Sequence, residues 1–188
     1  MNTTKSRENL RALVESSLLV AAGFVLSYIT LIKLPQGGSV TPLSMLPILM
    51  IGLRHGLKWG LCGGFVYSCL QMLQEFWPPP SGTVLAYISV VLLDYILAFT
   101  ILGLSGLFKN LRYGFIYAAP LCIFFRFLCH FVSGIVIWAS AYAGDTPFWI
   151  YSLIYNGSYM GLELVLTMAV GTVLCSAAPV LFTPPKTM

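Results

Sequence analysis

Charge is what this sequence has least of. Only 9% of its 188 residues are Asp, Glu, Lys or Arg, against about 25% in a typical soluble domain. Hydrophobic residues make up 58%, so the chain has too little polar side-chain surface for a water-soluble fold. Several catalytic signatures are missing too. There is no GxxxxGK[ST] phosphate loop, which excludes a subunit that hydrolyses ATP for its own transport. There is no HExxH, no GxSxG and no convincing carboxylate pair, which leaves little for an intramembrane hydrolase to use. The five cysteines, Cys62, Cys69, Cys122, Cys129 and Cys175, all lie in apolar runs with no CxxC spacing and no Cys/His cluster. They read as small buried hydrophobes, with no metal site and no disulfide framework. The basic residues form no stripe, so no nucleic-acid partner is indicated. No cofactor is implied, and no soluble domain, low-complexity tract or internal repeat is visible.

What the chain does have is long apolar runs. A membrane-crossing helix takes about 20 mostly apolar residues, and clear spans fall at roughly 10–31, 57–76, 84–108, 114–141 and 150–181. The shorter run "LSMLPILMIGL" with Pro47 fits a short helix at 41–53, joined to the next span by "RHG". The expected fold is therefore all-α: one integral membrane domain over 1–188 with six transmembrane helices. The first apolar run is too long for a signal h-region and lacks a cleavage site, so it reads as a retained helix. Charge sets the orientation. With both termini cytoplasmic, the inner side carries Lys5, Arg7, Arg11, Arg54, Lys58, Lys109, Arg112 and Lys186, and the outer side carries only Lys33. Eight against one satisfies the positive-inside rule, and five or seven spans would break the alternation. The expected location is the bacterial plasma membrane.

The outer loops are "KLPQGGSVTP" (33–42), "QEFWPPPSGT" (74–83) and "AYAGDTPFW" (141–149). Rich in Gly, Pro and aromatics, they suit a structured lid better than a flexible linker. Inside the spans stand Asp94, Arg126, His130 and Glu163. A charge at mid-bilayer costs about 2.5–3.5 kcal/mol on insertion scales, so these side chains should face the bundle interior or a cavity. Arg126, His130, Gly134 and Trp138 recur every four residues and share one helix face, running from deep to outer. Asp94 lies eleven residues from the outer end of its span, about 16 Å in at helical rise. Tyr151 and Asn156 occupy the outer part of the last span, where Tyr151, Tyr155 and Tyr159 form a stripe that reads as packing apart from Tyr151, its outermost member.

The outer half of the bundle is therefore expected to gather Asp94, Tyr95, His130, Trp138, Tyr151 and Asn156. One carboxylate, an imidazole, an amide and several aromatics suit a small cationic heteroaromatic. The carboxylate supplies counter-charge, the rings supply cation–π contact, and the amide and imidazole read ring edges. Plainer readings stand beside this one. Arg126 has two possible carboxylate partners, Asp94 and Glu163. His130 reads equally as a bond to a neighbouring helix, and Trp138 and Tyr151 as interfacial belt residues.

The ordered motifs "KLPQGGSVTPLSMLPI", "GLRHGLKWGLCGGFVYSCLQM", "LLDYILAFTILGLSGLF", "FRFLCHFVSGIVIWASAYA" and "YSLIYNG" resemble the thiamine-specific substrate-binding subunits (S-components) of energy-coupling factor vitamin transporters. The resemblance runs from about residue 10 to about residue 175. It implies a six-helix subunit that captures thiamine from outside. Uptake would be powered by a membrane coupling protein and two ATPase subunits. It also implies a binding site of Asp94, Tyr95, His130, Gly134, Trp138, Tyr151 and Asn156. Ser17 and Ala21, small residues four apart on the first span, would be the docking seam for the coupling protein; without the resemblance they read as packing within this bundle. Two departures stand out. The first outer loop, "KLPQGGSV", lacks the tryptophan that some members place over the ligand. Some members carry a tyrosine just before span four, where this chain reads "SGTVLAY" (81–87), with its tyrosine inside the span. Trp77 and Tyr87 are the candidates to replace them. Rival readings are the same architecture with a thiamine precursor or another vitamin, a small intramembrane enzyme, and a standalone transporter.

Overall fold

The computed structural model describes residues 3–184, with side chains from Lys5 onward. Lys186, one of the eight basic residues assigned to the inner side, lies outside the described residues. Six helices follow in order: α1 Thr3–Ser27, α2 Leu46–His55, α3 Leu57–Gln74, α4 Val84–Phe108, α5 Gly114–Tyr142 and α6 Phe148–Ala177. Between α1 and α2 the chain makes an antiparallel hairpin of β1 (Ile32–Lys33) and β2 (Ser39–Val40), pairing Ile32 with Val40 and Lys33 with Ser39. The first outer loop is thus ordered structure, as its composition predicts. Helices α1, α4, α5 and α6 are long and apolar enough to cross a bilayer. An even number of crossings returns the chain to its starting side, where Arg54, Lys58, Lys109 and Arg112 stand at the helix ends.

Helix α2 has ten residues, about 15 Å at helical rise, and so cannot cross alone. It starts at Leu46, where the sequence reading began its helix at 41, because the chain first reverses at Leu43 (φ 67°). Pro47 then falls in the first turn, where its missing N–H costs nothing. Every residue from Leu46 to Leu53 is buried. A helix apolar all round belongs in a core, and α2 packs against α1, α3, α4 and α5. Its end is set by Gly56, whose φ of 89° and ψ of −178° fall in a region open almost only to glycine. The same glycine caps the start of α3, so the turn between the two helices rests on one residue.

Small residues bring α3 and α4 together. A Cβ on Gly103 would run into the carbonyl carbon of Gly60, so the two backbones touch. Overpacking of this kind costs about 1–3 kcal/mol, and here backbone rather than a mobile side chain is in the way, so Gly103→Ala should lose roughly 3 kcal/mol. Thermal unfolding in detergent measures it; an unchanged transition would mean that the helices separate freely at this crossing.

Charged groups inside the bundle number more than the four read from the sequence. Glu15, on α1, accepts hydrogen bonds from Arg11 Nε (2.7 Å) and from Arg54 Nη2 (2.6 Å), and lies 3.0 Å from His55 Nε2. The sequence reading passed over it because it sits only a turn beyond the polar N-terminal segment. Its effect is to fasten α1 to the inner end of α2.

Candidate functional site

Both helices that carry the candidate residues depart from α geometry at those residues. In α4 the stretch Val91–Leu97, containing Asp94 and Tyr95, is π-helical, and in α5 so is Gly134–Trp138. A π turn closes i to i+5, and such turns recur at functional sites. The effect is concrete. Trp138 Nε1 comes within 3.2 Å of Ser133 Oγ, five residues back, and both reach Asp94. Ser133 Oγ donates to Asp94 Oδ2 at 2.6 Å and Trp138 Nε1 donates to the same oxygen at 3.1 Å. His130 Nδ1 lies 3.0 Å from Oδ1. An ionised carboxylate only accepts, so Nδ1 carries the hydrogen. His130 Nε2 is then left buried without a partner among the described residues.

These groups line a cavity of about 150 Å³ at the outer end of the bundle. All seven candidates (Asp94, Tyr95, His130, Gly134, Trp138, Tyr151 and Asn156) contribute to its wall. Their roles differ. Tyr151 lines it, and its buried hydroxyl has no partner among the described residues. Asn156 is already engaged: its Nδ2 donates to the His130 carbonyl (3.2 Å) and its Oδ1 accepts from Tyr159 (3.0 Å). Its amide therefore holds the His130 turn in place. Gly134 is small for a packing reason, because a Cβ there would run into Ser152 Oγ. Tyr95 spends its hydroxyl on the second outer loop, accepting from Trp77 N–H (3.1 Å) and donating to Glu75 O (2.8 Å).

The open question of Arg126 resolves in favour of Glu163. Arg126 Nη1 lies 3.2 Å from Glu163 Oε2, and its guanidinium sits 4.4 Å above the Phe99 ring. Glu163 Oε1 accepts from Thr41 N (2.9 Å) and Thr41 Oγ1 (2.7 Å), which ties the foot of the hairpin to α6. Asp94 makes no ion pair with lysine or arginine among the described residues. Its negative charge meets neutral donors and one imidazole. A cation with apolar faces complements such a wall.

Several residues of the site escaped the sequence reading. Ser133 and Ser152 carry no pattern of their own; only the π turn and the close approach of α5 to α6 give them work. Gln71 and Gln74 of α3 and Ser27 of α1 also line the cavity, with Ser27 Oγ donating to Gln74 Oε1 at 2.7 Å. A helical "LQMLQ" read as an ordinary span end. Tyr155, read as packing, accepts from Gly38 N–H at 2.9 Å and donates to the Pro35 carbonyl. It anchors the tip of the hairpin.

Comparison with known proteins follows the same lines. Residues 13–183 match the family described as thiamine transporter protein (Thia_YuaJ). The thiamine transporter ThiT of Bacillus subtilis (strain 168) is 32% identical over 195 aligned positions, covering 95% of this chain and 96% of that protein. ThiT of Lacticaseibacillus paracasei is 29% identical, covering 95% of this chain and 93% of its own length. A solved structure of ThiT from Listeria monocytogenes superposes with a TM-score of 0.76 over 94% of this chain and 99% of that one; at 23% identity this likeness carries the fold alone. The relatives are named as transporters and come from bacteria. With a family match that runs from α1 past the end of α6, this chain belongs to the thiamine transporter protein family, as a multi-pass protein of the bacterial plasma membrane.

Proposed function

We propose that this chain is the thiamine-binding subunit of an energy-coupling factor transporter, capturing thiamine at the outer face. The observation that carries the reading is Asp94: a carboxylate within a span, on the wall of an aromatic cavity, paired with no lysine or arginine among the described residues, since the Arg126 that shares the wall is paired with Glu163. Thiamine is a flat cation. Its thiazolium charge is balanced by Asp94, Trp138 and Tyr151 contact its rings, and His130 Nε2 is the free edge for its aminopyrimidine. Asn156 acts through His130. The relatives named as thiamine transporters support the ligand.

The energy comes from elsewhere, since the chain has no phosphate loop. A membrane coupling protein with two ATPase subunits fits that need. Ser17 and Ala21 lie on the exposed face of α1, while Ser16, Val20 and Gly23 face inward. The small-residue seam is thus free for an outside helix, and packing within this bundle does not use it.

Titration of the detergent-purified chain with thiamine, followed by tryptophan fluorescence, tests the ligand. Quenching that saturates at one thiamine per chain, at submicromolar concentration, is the expected result. Heatless calorimetry together with unchanged fluorescence sinks the reading. Co-purification with the coupling module, lost when Ser17 and Ala21 are both made leucine, tests the docking surface.

A further inference from the structure

We infer that Trp77, from the second outer loop, is the ligand-covering aromatic of this cavity, and that Tyr95 is the latch that holds it there. The inference rests on the proposed ligand site and adds residues to it. Trp77 lines the cavity, and its indole Nε1 is buried without a partner among the described residues. A buried donor left unpaired is costly, and an acceptor on a bound ligand removes that cost. The seat of the ring is equally specific. Gly37, at the tip of the hairpin, has φ of +88°, and a Cβ there would lie 2.6 Å from Trp77 Cδ1. Only glycine lets the indole lie flat against the first loop.

The loop behind Trp77 is stiff. Pro78, Pro79 and Pro80 fix three successive φ angles, and Thr83 then caps α4 by accepting from Ala86 N–H at 3.3 Å. A stiff strap moves as a unit, so its position depends on where it is fastened. Three fastenings stand among the described residues, and the weakest is the stack of Phe76 on the partly exposed Tyr87, with ring centroids 6.3 Å apart. Lys33 bridges Glu75 at 2.7 Å, but both side chains are about half exposed (56% and 47%), and such pairs hold little. Tyr95 grips the strap on both sides of Phe76 from a buried position, 8% exposed. It also stacks on Phe76 with ring centroids 5.7 Å apart. Tyr95 therefore acts on ligand through Trp77, and it follows Asp94 directly in the same π turn. The cavity of about 150 Å³ is below the roughly 300–1,000 Å³ usual for small-molecule sites, so a strap that carries one of its lining aromatics affects how a ligand is held.

The test is the dissociation rate of thiamine from the purified full-length chain. Trp77→Ala should release thiamine about 30-fold faster, through lost ring contact and cation–π attraction. Trp77→Phe, which keeps the ring and loses the donor, should cost about 5-fold. Tyr95→Phe should speed release about 10-fold in the native background and by nothing further in Trp77→Ala. Gly37→Ala, which leaves both aromatics intact, should reproduce the Trp77 effect by unseating the ring. A wild-type rate in Trp77→Ala overturns the covering role. Additive effects of Tyr95→Phe and Trp77→Ala overturn the latch. Either failure leaves thiamine binding by the native chain standing, whereas a native chain that binds no thiamine removes the proposed function and this inference with it.

Discussion

Asp94→Asn should weaken thiamine binding by roughly 30- to 1,000-fold, the equivalent of about 2–4 kcal/mol for a charge pair near 4 Å in a partly shielded site. The substitution keeps the shape and removes the charge. It also disturbs the hydrogen bonds. The native carboxylate accepts from three donors on two oxygens: His130 on Oδ1, and Ser133 and Trp138 on Oδ2. An amide has one acceptor end. If its oxygen faces Ser133 and Trp138, its NH2 meets His130 Nδ1, which must give up its hydrogen and become the acceptor. The hydrogen then moves to Nε2, the edge turned to the cavity. The substitution therefore changes both the charge and what His130 offers a ligand. A neutral aminopyrimidine without the thiazolium separates the two. The charge effect falls on thiamine alone, whereas the tautomer effect falls on both. Equilibrium titration of Asp94→Asn with each ligand should show a large loss for thiamine and a much smaller one for the pyrimidine. Equal losses would assign Asp94 to holding His130 and deny it the counter-charge role. Asp94→Glu should retain binding within about tenfold, because the charge survives with one extra methylene to accommodate.

How much of this was legible in the sequence depends on the kind of information a residue carries. Composition and the positive-inside pattern were enough for six helices, because insertion cost acts on each span separately. Four-residue spacing placed His130, Gly134 and Trp138 on one face, because a single helix obeys its own period. That same spacing hid Ser133, since the π turn at Gly134–Trp138 replaces i+4 by i+5. No local residue pattern announces such a turn; it is stabilised by what the two helices build together. The partner of Arg126 was undecidable for a related reason. Asp94 and Glu163 lie on different helices, and the rotation of each helix about its own axis is set by packing. The small residues at Gly134 and Gly103 control that packing, and their role is visible only once the neighbours are in place. Tyr155 read as packing because an aromatic stripe advertises burial, and Tyr95 read as a ligand contact because it stands beside Asp94. The hydroxyls that fasten the outer loops depend on loop backbone that no periodicity describes.

Glu163→Gln should destabilise the fold by about 3–5 kcal/mol, the cost of leaving a buried charge without its partner. Glu163 is 1% exposed, and Arg126, which lines the cavity, is 7% exposed. An amide cannot serve both sides. With its oxygen toward Thr41 N–H and Oγ1, its NH2 faces the Arg126 Nη1 donor; turned round, it satisfies Arg126 and abandons Thr41. Either way two donors face each other in a site that excludes water. The consequence reaches beyond stability. Thr41 is the foot of the hairpin, one residue after β2, and the hairpin tip carries Gly37, the seat of Trp77. Loosening the foot should therefore also speed ligand exchange. A paired replacement tells ion-pair energy from simple loss of packing. Glu163→Leu together with Arg126→Met removes both charges at similar volume. By the behaviour of other buried pairs it should recover most of the stability lost in Glu163→Gln. Thermal unfolding in detergent without thiamine measures that recovery, free of any contribution from bound ligand. The hairpin foot would still lack its acceptor, so thiamine release should stay fast in the double variant even as its unfolding transition returns toward that of the native chain. A double variant no more stable than Glu163→Gln would show that Glu163 acts through Thr41 alone, and that the arginine is held by Phe99 and Met45 without need of its carboxylate.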